Sequence, residues 1–259
     1  HCVSIKADGF HSLSDGASNI ICLVGIFCAY RPKDSNHPYG HKKYETFFSL
    51  GIAALLFLVA LELLEEGIRR FIHPVTPDIN AWSFIVMVGT LIINALVMRY
   101  EYRKGKLLQS DMLIYDSLHT RADIFTSLSV ILTLVFITLG MPLLDPIATI
   151  VIVCFIAHSG YQIIKESARV LCDTAAIVDI GRIENIVLAV PGVKTCHKIR
   201  TRGRSDDVCV DLHVQVNPGM HIEQAHKISY AIEDALKKGI PEISDVVVHM
   251  EPREKEKLE

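Results

Sequence analysis

The chain holds 259 residues, 50% of them hydrophobic and 21% charged, with a formal net charge of −3 and a mean hydropathy of +0.34. A positive mean hydropathy leans toward the membrane, and near-neutral charge excludes a general nucleic-acid binder, which would be basic. Seven Cys with no CxxC pair exclude a thiolate zinc finger and argue against a secreted disulfide scaffold, whereas twelve His keep imidazole chemistry in view.

In chain order, residues 9–30 are a less pure apolar segment because they contain His11 and Asp15. The stretch 46–61 is uncharged for 16 residues, and its apolar face continues to Leu64. Charge is absent from 80–98 (19 residues), 124–144 (21) and 146–164 (19, with His158). A hydrocarbon core of roughly 30 Å is crossed by about 20 helical residues. These segments therefore predict a membrane unit over 1–168, with spans at about 9–30, 46–68, 80–101, 115–139 and 145–166. One loop holds Arg31, Lys33, Lys42 and Lys43, and another holds Arg99, Arg103, Lys104 and Lys106. The positive-inside rule places both loops and the tail in the cytoplasm and residue 1 outside. No cleavable signal pattern is visible, and a start at His1 reads as a fragment or a processed chain.

The tail, 171–253, changes character: its only aromatic residue is Tyr230. A helix-like stretch at 179–190 ends at Pro191-Gly192, and alternating stretches follow at 194–203 and 207–216. A helix at about 221–238 and a strand at 244–250 complete an α-β-β-α-β order. That order predicts a ferredoxin-like α+β domain with its helices on one face of an open sheet. Residues 254–259 read as a charged, solvated tail.

Polar residues inside the apolar segments carry the chemistry. His11 and Asp15 are four apart, as are His119 and Asp123, so each pair stacks on one helix face. Packed together, two such helices offer two imidazoles and two carboxylates, a tetrahedral set for a divalent transition metal. The loop DSNHPYGHKK contains Asp34, His37 and His41; it reads equally as a turn and as a three-ligand metal site. In the tail, His197, His213, His226, His249 and Glu251 fall on or beside elements expected to be neighbours. A lone strand His is usually just a polar residue, but five metal-competent groups favour binding, of two ions or across a dimer interface.

The segments ADGFHSLSDGASN, NHPYGHKKYE, LHTRADIFTSL and the terminal VVVHMEP together resemble the cation diffusion facilitator family of zinc transporters. The resemblance covers nearly the whole chain. It implies a homodimeric metal/proton antiporter in a lipid bilayer, most simply the plasma (inner) membrane, with six spans and a cytoplasmic, metallochaperone-like domain. The five visible spans match family spans two to six, which leaves the first absent. By position, His11, Asp15, His119 and Asp123 match the transport site, and Asp34, His37 and His41 the loop site. His197, His213, His226, His249 and Glu251 match the cytoplasmic cluster, where the family often has Asp in place of Glu251. Lys43 and Asp173 fall where the family can have an inter-protomer charge interlock; they read equally as ordinary loop charges. Two His and two Asp favour Zn²⁺, with Cd²⁺, Co²⁺ and Fe²⁺ as further cargoes and protons as counter-ion. A membrane metalloenzyme is disfavoured because HExxH, a Walker A loop and DKTGT are all missing. The alternative is a non-transporting partner subunit that stabilises another family member or senses metal.

Overall fold

Each apolar segment lies for most of its length in a helix longer than itself. In the computed structural model α1 (Cys2–Ala29), α2 (Lys43–Ile72), α3 (Ala81–Leu108), α4 (Asp111–Thr138) and α5 (Leu144–Leu171) are 28 to 30 residues long. At 1.5 Å per residue each reaches about 42 Å or slightly more, longer than a hydrocarbon core and enough to carry polar turns beyond it. The structure describes the backbone of residues 2–72, 81–138, 144–176 and 178–253, and the side chains of 16–69, 71–72, 85–86, 88–132, 146–176 and 178–253.

The chain divides into two units, His1–Ala168 and Arg169–Glu259. In the first, α1 packs on α2 and α4, α2 on α4, and α3 on α4. Cys22, Ile52, Leu56, Met112, Ala122, Ile156 and Ile163 from α1, α2, α4 and α5 form one buried core. The outer faces stay apolar, with Leu23, Phe27, Leu58, Leu61, Ile92, Leu96 and Phe155 all exposed. A surface of that kind suits hydrocarbon rather than water. Among the described residues, Lys43–Arg69 and Pro146–Leu171 are long and apolar enough to cross a membrane, and Gly16–Ala29 is a shorter apolar helix. The α3–α4 hairpin turns tightly at Gln109 (φ 52°). It closes over Gly105, where a Cβ would come within 2.9 Å of the Ile114 backbone nitrogen, so glycine is required there.

The second unit runs α6 (Ile180–Leu188), β1 (Thr195–Arg204), β2 (Asp207–Val216), α7 (Ile222–Gly239) and β3 (Ile243–Pro252). The sheet order is β1-β2-β3, antiparallel between β1 and β2 and parallel between β2 and β3. A parallel neighbour needs a crossover, and α7 supplies it. β2 alternates strictly, burying Val208, Val210, Leu212, Val214 and Val216 against Ile183, Val187, Ile232 and Leu236 of the two helices. Both helices therefore cover one face, and the odd-numbered residues of β2 line the other. Asp179 caps α6 by accepting from Gly181 N–H, and His221 caps α7 by accepting from Glu223 N–H.

Candidate metal centres

Within the bundle, His119 and Asp123 are buried at 3% and 9% exposure on α4. Ionisable groups at that depth are expensive and mark function. His11 and Asp15 lie on α1; their side chains fall outside the described residues. A polar contact ties α1 to α4: Ser18 Oγ donates to the buried Asp116 Oδ1 at 2.5 Å. Asp15 and His11 precede Ser18 by three and seven positions on α1, while His119 and Asp123 follow Asp116 by three and seven on α4. Both intervals keep to one helix face. Sequence reasoning missed Asp116, although a carboxylate one turn before an intramembrane His was a legible signal. It also missed Glu101 on α3, which accepts from Thr120 Oγ1 at 3.0 Å.

The loop between α1 and α2 builds its cluster from a turn. Asp34 Oδ1 accepts the backbone N–H of Asn36 (2.9 Å) and of His37 (2.7 Å), and Gly40 takes φ 96°. This curls the chain so that His37 Nδ1 lies 3.2 Å from Asp34 Oδ1 and His41 Nε2 lies 3.3 Å from Asp34 Oδ2. The imidazoles lie 4.2 Å apart between centroids, tilted by 41°, and one ligand atom from each of the three residues lies within 4.8 Å of the others. His41 is buried, and its Nδ1 has no hydrogen-bond partner among the described residues. The His37 backbone N–H beside it holds the Asp34 carboxyl below its usual range, so it is an anion at neutral pH.

On the open face of the tail sheet, strand register places three imidazoles in a row: His197 opposite His213, and His213 opposite His249. Glu251, two residues along β3 from His249, reaches back to them. Its Oε1 lies 2.7 Å from His213 Nδ1 and its Oε2 3.1 Å from His197 Nε2. His197, His213 and Glu251 form a second three-ligand set within 4.8 Å. The hydrogen bond from His213 holds the Glu251 carboxyl below its usual range. His249 stands beside the set, its ring 4.5 Å from that of His213 and its Nε2 3.6 Å from Glu251 Oε1. His226 is placed elsewhere, exposed on α7 with its ring 4.6 Å from Tyr230. α7 covers the buried face of the sheet, so His226 sits in the helix layer.

A bulge shapes this second set. Pairing slips between His197 and Arg200, and Lys198 takes φ 51°, so Lys198 is an extra residue that leaves His197 on the open face. The clue in sequence is the step of three between the core-facing Cys196 and Ile199, where strict alternation would step by two. Burial, with Glu184 adding to it, pushes the Cys196 thiol up to about 11, and burial raises Cys209 as well.

Lys43 opens α2 and Asp173 follows α5 with φ 52°. They belong to different units, and the interlock reading for them stays a proposal.

Two three-ligand sets of His and carboxylate, with a buried His119 and Asp123 in an apolar-faced helical unit, are the features of a metal-handling membrane protein. Two family models together match nearly the whole chain: the cation efflux transmembrane domain over residues 1–172 and the cation efflux protein cytoplasmic domain over 177–253. An uncharacterised transporter of Methanocaldococcus jannaschii is 30% identical over 96% of this chain and 88% of its own length. The manganese efflux system protein MneS of Bacillus subtilis is 29% identical over 98% and 87%. A solved MamM CTD is 35% identical over 29% of this chain and 91% of that one, with a TM-score of 0.28. The chain belongs to the cation diffusion facilitator family, whose members move divalent cations out across a membrane and are not enzymes. Its C-terminal unit is the cytoplasmic domain of that family.

Proposed function

We propose that the chain exports Zn²⁺ in exchange for protons, as a homodimer that crosses the plasma membrane several times. The ion is held by His11 and Asp15 of α1 with His119 and Asp123 of α4. The observation that carries this reading is the mirrored spacing on either side of the Ser18–Asp116 hydrogen bond. α1 and α4 are read as running in opposite directions. Counting equal steps from that contact then brings Asp15 level with His119 and His11 level with Asp123, which stacks two imidazole–carboxylate pairs on two levels one helical turn apart, on one face of each helix.

Proton exchange follows from the ligand chemistry. An imidazole ligates only when neutral, so loading from the cytoplasm displaces protons from His11 and His119. Two carboxylates offset the 2+ charge and lower the cost of holding the ion in hydrocarbon. Rocking of the two helices exposes the same ligands outside, where reprotonation weakens the site and releases the ion. The loop set Asp34, His37 and His41 and the tail set His197, His213 and Glu251, with His249 adjoining, bind regulatory metal. That binding tightens the dimer.

A second reading has one specific support: a relative 29% identical is named a manganese efflux protein. Imidazole ligands suit Zn²⁺ better than Mn²⁺, which prefers all-oxygen sites, so zinc remains the first choice. The test is a panel of Zn²⁺, Cd²⁺, Co²⁺, Fe²⁺ and Mn²⁺ in proteoliposomes under an imposed pH gradient. Zn²⁺ should move fastest, with His119→Ala or Asp123→Ala abolishing transport. Mn²⁺ moving faster would select the second reading. Wild-type Zn²⁺ rates in either variant would sink the four-ligand site, and no metal movement by the intact chain would favour a non-transporting partner subunit.

A further inference from the structure

Arg121 falls between His119 and Asp123 in sequence, yet two residues along a helix point to different sides. Its guanidinium faces α5, donating to Ser159 Oγ at 3.0 Å and lying 5.9 Å from the Phe125 ring. Beside it a cavity of about 730 Å³ opens between α3, α4 and α5. Leu91 and Leu96 make part of its apolar wall, while Arg99, Tyr102, Ser117, Arg121 and Gln162 supply its polar groups. Its lining includes two arginines and no carboxylate. A second cavity, of about 440 Å³, shares Leu96 and Arg99 with the first and adds Arg103 and Lys104.

We propose that this groove is a binding site for one anionic phospholipid, its phosphate between Arg99 and Arg121 and an acyl chain along Leu91 and Leu96. Charge and place both point to that occupant. Two guanidiniums lining one cavity in a transmembrane domain call for an anion or water, and the forked donors of arginine match phosphate oxygens. Ile92, Leu96 and Leu107 are exposed along the same flank, which gives a hydrocarbon chain a surface to follow and a soluble anion none. Arg103 and Lys104 extend the positive strip toward the cytoplasmic end of α3, from which anionic headgroups approach. The ion-pairing flank of α4 is thus separate from the face that carries His119 and Asp123.

The test uses the full chain purified in neutral detergent, with native mass spectrometry of lipid adducts during titration with phosphatidylglycerol or phosphatidylcholine. Phosphatidylglycerol should be retained in preference, and Arg99→Gln or Arg121→Gln should each weaken that preference about fivefold, the effect of one basic charge near a headgroup. Arg121→Lys should restore part of it. Arg121 also holds Ser159, so its loss can disturb the fold; Arg99 is exposed, and Arg99→Gln alone suffices as the test. Equal retention of the two lipids, or a preference unchanged by Arg99→Gln, overturns the proposal. Displacement of the adduct by millimolar inorganic phosphate also overturns it, because the site would then serve a soluble anion.

Discussion

Glu251 joins the tail cluster: its two oxygens contact imidazoles from two other strands, 2.7 Å from His213 and 3.1 Å from His197. The proposed metal site uses the same three groups as ligands in place of these contacts. Glu251→Ala should therefore lower metal affinity of the tail by tenfold or more, read by calorimetric titration of the full chain in detergent, while His226→Ala leaves it unchanged. Equal losses in both variants would mean that α7 contributes a ligand. The pH dependence has a definite sign. The carboxyl of Glu251 is held below its ordinary value of 4.5 by the His213 hydrogen bond first and nearby positive charge second. Its stabilisation is thus complete above 4.5 and is lost as pH falls through the native value. Acid unfolding followed by circular dichroism should begin at higher pH in Glu251→Gln than in the wild type. Coincident acid limbs would show that the carboxylate adds no stability. These side chains were legible as candidates because His and Glu are chemically conspicuous in an otherwise ordinary strand. Their grouping was not, because alternation says which face a residue occupies and not which neighbour it meets.

At the scale of elements, the N-terminal ends of α2 and α4 are tied by a buried carboxylate. Glu45, in the first turn of α2, accepts from Ser110 Oγ at 2.5 Å and from the Met112 backbone N–H at 2.9 Å. Ser110 immediately precedes α4, so a side chain of one helix caps the N-terminus of another, where the backbone N–H groups and the dipole favour an anion. The tie lies four residues beyond His41 of the loop cluster and opens the helix that carries His119 and Asp123. Glu45→Ala leaves two buried donors without their acceptor and should cost about 2–3 kcal/mol. A fall in melting temperature in detergent would report it, with Glu45→Gln, which keeps an acceptor, losing less. An Ala variant as stable as wild type would mean water replaces the carboxylate at no cost. Helix positions at this level were readable in part: the expected span at about 115–139 covers most of α4 (Asp111–Thr138), but the uncharged stretch 124–144 marks neither of its ends. The cap was not, because a Glu in KKYETFF looks like any acidic residue in a helix first turn. Only the packing of α2 on α4 removes it from water. The sheet tells the same story. DVCVDLHVQV specifies β2 by strict alternation, whereas the bulge at Lys198 hides in β1, where charged and polar residues blur the period.

For the whole molecule, the open question is how metal in the tail reaches the membrane unit. The family match over 177–253 is to a cytoplasmic domain, and its sheet presents one face with no helix over it. That face carries His197, His213, His249 and Glu251 in one patch, and His249 is 63% exposed on its side chain. Three of these groups offer ligand atoms within 4.8 Å of one another, and the zinc proposed to bind there takes four ligands. An exposed imidazole or carboxylate from a second copy is the economical fourth, which is why metal should draw two tails together. Mass action fixes the sign: an ion that binds the closed pair better than the open one shifts the population toward closure by its differential affinity. Full-length protein in nanodiscs, spin-labelled at the exposed Ser205, should show a shorter and narrower inter-tail distance distribution when Zn²⁺ is added. In Glu251→Ala the distribution should stay broad at the same Zn²⁺ concentration, and in His119→Ala it should narrow as in the wild type, because that variant disturbs only the intramembrane ligands. A tail distance unmoved by Zn²⁺ would separate metal binding at the sheet from dimer closure. Narrowing that needs His119 would place the controlling ion in the bundle instead.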